Sequence, residues 1–161
     1  MFRSHDRPGF TLIEMIVVLS IVAVLAMSAL PLGKMAVKRA NEIELQRALR
    51  TLREAIDAYK KMADEKKFEF DSDTEGYPPT LEALVKGVEV QDKDSKGKAG
   101  AKKTVKFLRR IPKDPMTNSY DWGLRSYQDD FDSAVWGEED VYDVYTKSPN
   151  TALDGTKYKD W

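Results

Sequence analysis

The sequence predicts an α+β fold in which one long N-terminal helix packs on a small antiparallel sheet. The first observation behind this prediction is an apolar run, FTLIEMIVVLSIVAVLAMSALPL, at residues 10–32. The second is a helix-period pattern of apolar residues that continues from there to about Lys66. The third is a pair of short stretches, YDWGLRSY and VYDVYT, whose β-branched and aromatic residues are typical of strands.

The apolar run at residues 10–32 is long enough to cross a membrane. Its 23 residues form a helix of about 35 Å at about 1.5 Å per residue, against a hydrocarbon core of about 30 Å. Glu14 is the one charged residue in it. A lone carboxylate in an apolar span is costly, so Glu14 requires a partner or a purpose.

A partner for Glu14 follows from the nine residues that precede the run. They read MFRSHDRPG, a short, polar and basic segment that ends in Pro8-Gly9. Cleavage after Gly9 would give Phe10 a new ammonium group, four residues before Glu14. Between staggered neighbouring helices, the ammonium of one subunit can neutralise the carboxylate of the next. The pattern therefore predicts that Phe10 and Glu14 act together in assembly.

The basic leader followed by GFTLIE at residues 9–14 resembles the class III signal of type IV pilins and type II secretion pseudopilins. The resemblance implies that prepilin peptidase cuts between Gly9 and Phe10 and then N-methylates Phe10. It also implies three segments: a leader at 1–9, a transmembrane and filament-core helix at 10–32, and a periplasmic pilin-like domain at 33–161.

Two simpler readings of this N-terminal region compete with the pilin-type signal. An ordinary secretory signal peptide could end at the small residues 26–29, AMSA, and an ordinary membrane anchor needs no cleavage. The apolar core is longer than a signal peptide requires, and neither reading explains Glu14. Basic residues lie on both sides of the run, so charge bias does not set the orientation. The resemblance implies a leader in the cytoplasm.

Composition excludes several classes of function. The 161 residues include 26 basic and 27 acidic ones, so no strongly basic face argues for nucleic acid. Cysteine is absent, which excludes disulfides and thiolate metal sites. The one histidine, His5, falls in the expected leader. Without the usual general base or soft nucleophile, we do not expect an enzyme.

The helical pattern becomes amphipathic after Lys34. Apolar residues such as Val37, Ile43 and Leu49 recur at steps of three and four, with charged residues between them. We expect one helix from about Phe10 to Lys66, bent near residues 31–33, PLG. A coiled coil is the alternative, but the many alanines favour packing against a sheet.

After the helix, residues 71–79 read as a loop, and Thr80 is expected to cap a short helix that ends at Gly87. Val88 and Val90 suggest extended chain. Residues 91–103, QDKDSKGKAGAKK, are predicted to be an exposed, mobile loop. The string GYPPTLEALV at 76–85 again resembles pseudopilins.

The last third of the chain contains the predicted sheet. Residues 108–120, LRRIPKDPMTNSY, form a proline-rich turn that resembles a loop of major pseudopilins. Strands are predicted at 120–127 and 141–146, separated by an acidic loop at 129–140 whose Asp129, Asp130 and Asp132 are expected to be solvated. Tyr158 and Trp161 are expected to bring the tail back onto the sheet.

The tail, KSPNTALDGTKYKDW, occupies the place where major pseudopilins bind calcium. The resemblance implies Ser148, Asn150, Asp154 and Asp160 as oxygen ligands, because calcium prefers carboxylate and other hard oxygens. The family's acidic cluster is thin here, with only two aspartates. Asp154-Gly155 can equally be a simple turn.

The resemblance as a whole implies a major-pseudopilin-like subunit of a type II secretion system or a related one. Such a subunit is a single-pass protein of the bacterial inner membrane with its C-terminal domain in the periplasm. Its partners would be further copies of itself, minor pseudopilins, prepilin peptidase and the inner-membrane assembly platform, with no nucleic acid. The alternatives are a type IV pilin of a surface fibre, a minor pseudopilin, and a monomeric anchored binding domain.

Overall fold

A computed structural model describes residues 9–70, 74–91, 102–133 and 135–161, without the side chains of 28–32 and 91. Most of the expected leader, the start of the 71–79 loop and most of the 91–103 loop therefore lie outside the described residues. The chain divides into two compact units, Met1–Arg39 and Ala40–Trp161. The architecture is α+β, with a long N-terminal helix and small antiparallel sheets.

The long helix, α1, runs from Leu12 to Asp64, which confirms the helix predicted from about Phe10 to Lys66. It ends in a reversal at which Lys66 has a positive φ of 50° and its amide donates to the carbonyl of Ala63. The bend expected at residues 31–33 stays a prediction.

The core of the C-terminal unit lies on one face of α1. Leu45, Leu49 and Leu52 are almost completely buried there. Ala48 and Ala55 share this face, so the alanines allow close packing as predicted, and the helix is not a free coiled coil. The same helix also supplies Ile56 and Tyr59. The core residues from later in the chain are Leu81, Leu84, Leu108, Trp122, Val141, Val144, Ala152 and Tyr158.

One detail of the predicted helix face is wrong. Ile43 was expected in the buried stripe, but 44% of its surface is exposed. Glu42 is buried in its place, because position 42 precedes Leu45 by three and Leu49 by seven residues, which is the same side of a helix. The buried face therefore begins with a carboxylate.

The short helix α2, Leu81–Lys86, has the predicted caps. Thr80 has extended backbone and its hydroxyl accepts from the amide of Ala83. At the other end Gly87 has a φ of 83°, and a Cβ there would collide with the carbonyl of Val105. Only glycine fits this position.

The strands form two two-stranded antiparallel sheets where one small sheet was expected. In the first sheet, β1 (Val88–Gln91) pairs with β2 (Lys102–Val105). Lys102 and Lys103 were expected in a loop but lie in β2. The hairpin is favoured because it pairs backbone groups and places Val88 against the core.

The second sheet contains β3 (Gly123–Arg125) and β4 (Asp143–Tyr145), at the centres of the two predicted strands. Both are shorter than predicted. Gly123 lies directly beneath the ring of Tyr145, where a Cβ would collide. The tail closes as predicted: Tyr158 is buried, and Trp161 packs edge-on against it with ring centroids 5.2 Å apart.

Candidate processing and assembly site

The predicted cleavage junction is accessible. Gly9 is exposed and Phe10 has 77% of its surface exposed, ahead of the first residue of α1. Gly9 does not have a left-handed backbone, and a Cβ added to it would meet nothing within 4 Å. The folded chain therefore does not require glycine here, so a requirement for Gly9 would come from an enzyme that acts on the junction.

Thr11 caps the start of α1. Its hydroxyl accepts from the amide of Glu14 at 3.3 Å, and its carbonyl accepts from the amide of Met15 at 3.1 Å. Thr11 and Glu14 have the spacing of a capping box, in which a Glu at the third helical position supports the cap. A carboxylate in the first turn is also stabilised by the helix dipole. Glu14 thus has a local role in starting the helix, in addition to any role between subunits.

The helix after this cap presents apolar side chains on all sides. From Leu12 to Met27 every residue is exposed, including Leu12, Leu19 and Leu25 at more than 60%. An apolar surface of this extent indicates a contact with lipid or with another protein. None of the helices in the described part of the chain has the length and apolar character needed to cross a membrane.

Of the four tail residues predicted to bind calcium, Ser148 and Asp154 already use side-chain oxygens in local hydrogen bonds. Ser148 is buried and its hydroxyl accepts from the amide of Asn150. Asp154 Oδ1 accepts from the amide and hydroxyl of Thr156 at 2.9 and 2.7 Å. These bonds, the hydroxyl's first, lower the pKa of the exposed Asp154 carboxyl. Asp160 is exposed in a 3-10 turn.

The tail therefore offers few oxygen donors for a calcium ion. Within residues 9–70, 74–91, 102–133 and 135–161, no group of three or more His, Cys, Asp or Glu could hold a metal ion. Among the described residues, the second carboxylate oxygen of Asp154 and the side-chain amide of Asn150 form no hydrogen bond. Calcium binding by the tail stays a prediction.

The comparisons with known proteins bear on the N-terminal segment. The family model described as the prokaryotic N-terminal methylation motif matches residues 5–30. No curated protein and no solved structure matches the chain. The chain carries a pilin-type signal. This signal indicates a pilin-like subunit that is processed by prepilin peptidase and polymerised into fibres.

The pilin-type signal accounts for the geometry at the junction. It explains a glycine in a place where the fold requires none, and an accessible Phe10 after it. Sequence reasoning missed the cap formed by Thr11, although the T-x-x-E spacing of residues 11–14 was a signal for it.

Two buried carboxylates in the C-terminal unit were also missed. Glu42 Oε1 accepts from the amide of Leu153 and the hydroxyl of Tyr158, both at 2.8 Å. Asp114, which is completely buried, accepts from the hydroxyls of Thr117 and Thr146. Both groups tie distant segments together.

Proposed function

We propose that this protein is a major-pseudopilin-like structural subunit of a type II secretion system or a related assembly system. The observation that carries the proposal is the fully exposed apolar surface at the start of α1, whose one carboxylate, Glu14, lies four residues after the processing junction. The subunit waits in the bacterial inner membrane with residues 10–32 as its single membrane span. Its C-terminal domain lies in the periplasm.

Assembly packs the apolar surfaces of neighbouring α1 helices against each other. Because these surfaces leave lipid and not water, van der Waals packing between the helices favours the contact. The ammonium of Phe10 in one subunit pairs with Glu14 of the next. A buried ion pair of this kind contributes more to the choice of register than to stability. A head-to-tail contact that does not close produces a helical filament.

Further partners follow from the same proposal. Prepilin peptidase processes the precursor, an inner-membrane platform extracts the mature subunit, and minor pseudopilins start the filament. The role is structural, with no reaction catalysed by this chain.

The secretion branch is favoured over a surface pilus by two features of the sequence. Residues 108–120 resemble the proline-rich loop of major pseudopilins, and the chain lacks the C-terminal cysteine pair of many type IV pilins. In the structure this loop is held by Asp114, whose carboxylate accepts from the amide of Met116 and the hydroxyl of Thr117. An ordered loop supports the resemblance.

The test is deletion of the gene in its native host, followed by complementation with wild type and with a chain whose Gly9 is replaced by leucine. We expect the deletion strain to lose secretion of extracellular enzymes, while its surface fibres, adhesion and twitching are unchanged. Wild type should restore secretion, and the unprocessed Gly9→Leu chain should not. Loss of surface fibres with normal secretion would assign the chain to a type IV pilus instead.

A further inference from the structure

The loop between β3 and β4, residues 129–140, holds apolar side chains out into solvent. Phe131 is 88% and Val135 77% exposed. The loop is nevertheless tied down, since Asp129 Oδ2 accepts from the amides of Ser126 and Gly137. The ring nitrogen of Trp136 also donates to the carbonyl of Asp140. A phenylalanine held outward by an ordered loop indicates a contact surface.

Two tyrosines extend this surface at the base of the loop. Tyr127 and Tyr142 are each about half exposed, and their rings pack edge to face at 5.3 Å. Asp140 holds the backbone of Tyr127 in place, because its Oδ1 accepts from the amide of Tyr127. Burial raises the pKa of the Asp140 carboxyl. Aromatic residues on a rigid support are typical of the centres of protein interfaces.

The charge of this loop is of one sign. Residues 129–140 contain six acidic residues and no basic one. Four of them are exposed: Asp130, Asp132, Glu138 and Glu139. No ion pair to these four occurs within the described part of the chain. Acidic side chains therefore flank Phe131 and Val135 along the loop, and the four exposed ones have no ion-pair partner among the described residues.

A second segment of the same chain has the opposite charge. Residues 102–113, KKTVKFLRRIPK, contain six basic residues and no acidic one. Lys106, Arg109 and Arg110 are exposed, and among the residues described here none of the three forms an ion pair. The segment is firmly placed, because Leu108 is buried and its amide donates to the carbonyl of Leu84.

We propose that the acidic loop, residues 129–140, docks on the basic segment, residues 102–113, of a second copy of this chain. The two surfaces are complementary in charge, yet none of the described ion pairs connects the loop to the segment within one subunit. Neighbouring copies would supply an oppositely charged surface to each of them. Because the two patches differ, the contact is heterologous and repeats from subunit to subunit, as a filament requires. The inference rests on the proposed function, to which it adds a contact between C-terminal domains.

Charge reversal of the full-length chain, expressed with its assembly machinery, tests the contact. One variant carries Asp130→Lys and Asp132→Lys, a second carries Arg109→Glu and Arg110→Glu, and a third carries all four changes. Each double reversal should lower filament yield by about tenfold or more, since like charges then face each other at the substituted positions. The fourfold variant should recover most of the yield, because opposite charges again face each other at these positions.

The control is Lys157→Glu with Lys159→Glu, which changes two exposed cations in the tail by the same net charge as the Arg109 and Arg110 reversal. It should assemble like wild type. Recovery in the fourfold variant also shows that the double reversals fold. A fourfold variant that assembles no better than the double reversals overturns the contact, as do double reversals that assemble like wild type.

Cross-linking separates this contact from the proposed function. The chain contains no cysteine, so one copy with Val135→Cys and another with Lys106→Cys can react through a bismaleimide only between molecules. Cross-linked heterodimers in membranes support the contact even if no filaments form, which would count against the proposed function alone. Filaments without heterodimers would overturn the contact alone.

Discussion

The hydroxyl of Tyr158 donates a 2.8 Å hydrogen bond to Glu42 Oε1, across 116 positions of the sequence. Both side chains are buried. Further along α1, Arg53 donates to the main-chain oxygen of Trp161 at 2.8 Å and forms an ion pair with Asp143 at 2.7 Å. The tail is thus fastened to α1 at two points, and the first of these points is a buried carboxylate.

The Glu42–Tyr158 bond predicts a loss of stability in alkali. Burial, followed by the hydrogen bond to Glu42, raises the pKa of Tyr158 from 10.0 to about 12. The folded state therefore holds this proton more tightly than the unfolded state. The resulting stability is fully present below pH 10 and is lost as the pH rises through about 12. Burial also raises the pKa of Tyr59 and Tyr77, which act in the same direction.

Tyr158→Phe should remove the largest part of this pH dependence. It should also cost about 1–3 kcal/mol at neutral pH, because a buried acceptor loses a hydrogen bond. Chemical denaturation of the fragment from Lys34 onward, between pH 7 and 12, measures both effects. The matched control is Tyr120→Phe, since Tyr120 is 63% exposed. Equal behaviour of the two variants would contradict the assignment.

Asp114 offers a second test of a buried carboxylate. Its oxygens accept from the amide of Met116 and from the hydroxyls of Thr117 and Thr146 at 2.8, 3.0 and 2.5 Å. Asp114→Asn replaces one acceptor oxygen by a donor, which should cost about 1–3 kcal/mol. Asp121→Asn breaks an exposed pair with Lys147 and should cost less than about 1 kcal/mol. Urea unfolding midpoints of the two variants should differ clearly.

Local features of this fold could be predicted from the sequence because they depend on neighbours along the chain. The cap at Thr80, the end of α2 at Gly87 and the extent of α1 follow from residue type and helical period. The processing junction is equally local, since one short segment carries it. The family match over residues 5–30 confirms the signal there.

Long-range features could not be predicted in the same way. Glu42 is one of the charged residues between apolar ones on the helix, and such residues are commonly exposed. Its burial depends on Tyr158 and Leu153, which lie more than a hundred residues away. The polar residues Lys102 and Lys103 predict a loop, but they lie in β2. β2 is a strand because it pairs with Val88–Gln91, and the residues between the two strands have the composition of a loop.

Processing is predicted to leave Phe10 as the mature N-terminus, with a methylated amine. Gly9 is accessible and its Cβ position is empty, so Gly9→Leu should leave the fold intact while precursor accumulates in the membrane. Intact-mass spectrometry of protein from the native host measures both. The contrary result would be a mature chain that starts near residue 29, as a secretory signal peptide predicts, or an uncut Met1.

Calcium binding by the tail predicts a higher melting temperature of the fragment from Lys34 onward in calcium than in chelator. At about 100-fold excess over the dissociation constant, linkage gives about 2.7 kcal/mol. Asp154→Asn keeps an oxygen that can accept from Thr156 but removes the charge. It should abolish the calcium response and leave the melting temperature in chelator nearly unchanged. The same curve with and without millimolar calcium would mean that Tyr158 and Trp161 hold the tail without metal.

Glu14 has two possible roles, and they predict different results for two substitutions. As the third helical residue of a T-x-x-E capping sequence that begins at Thr11, Glu14 can be replaced by Gln, which suits this position as well. As the partner of the Phe10 ammonium in the next subunit, it cannot, because Gln carries no charge. Glu14→Leu removes both roles. It also removes a carboxylate that costs about 2.5–3.5 kcal/mol at the centre of a membrane and less near the interface.

We therefore expect both Glu14→Gln and Glu14→Leu to be cut after Gly9, because the glycine itself remains. Both should fail to assemble, since the ammonium of the neighbouring Phe10 then enters an apolar filament core without a counter-charge. The measurement is expression of wild type and both variants with the assembly machinery, with cleavage followed by mass and filaments by electron microscopy. If Glu14→Gln builds filaments as wild type does and Glu14→Leu does not, Glu14 acts as a helix cap. If both assemble, the apolar surface of α1 suffices for the filament, and the pairing of Phe10 with Glu14 does not set its register.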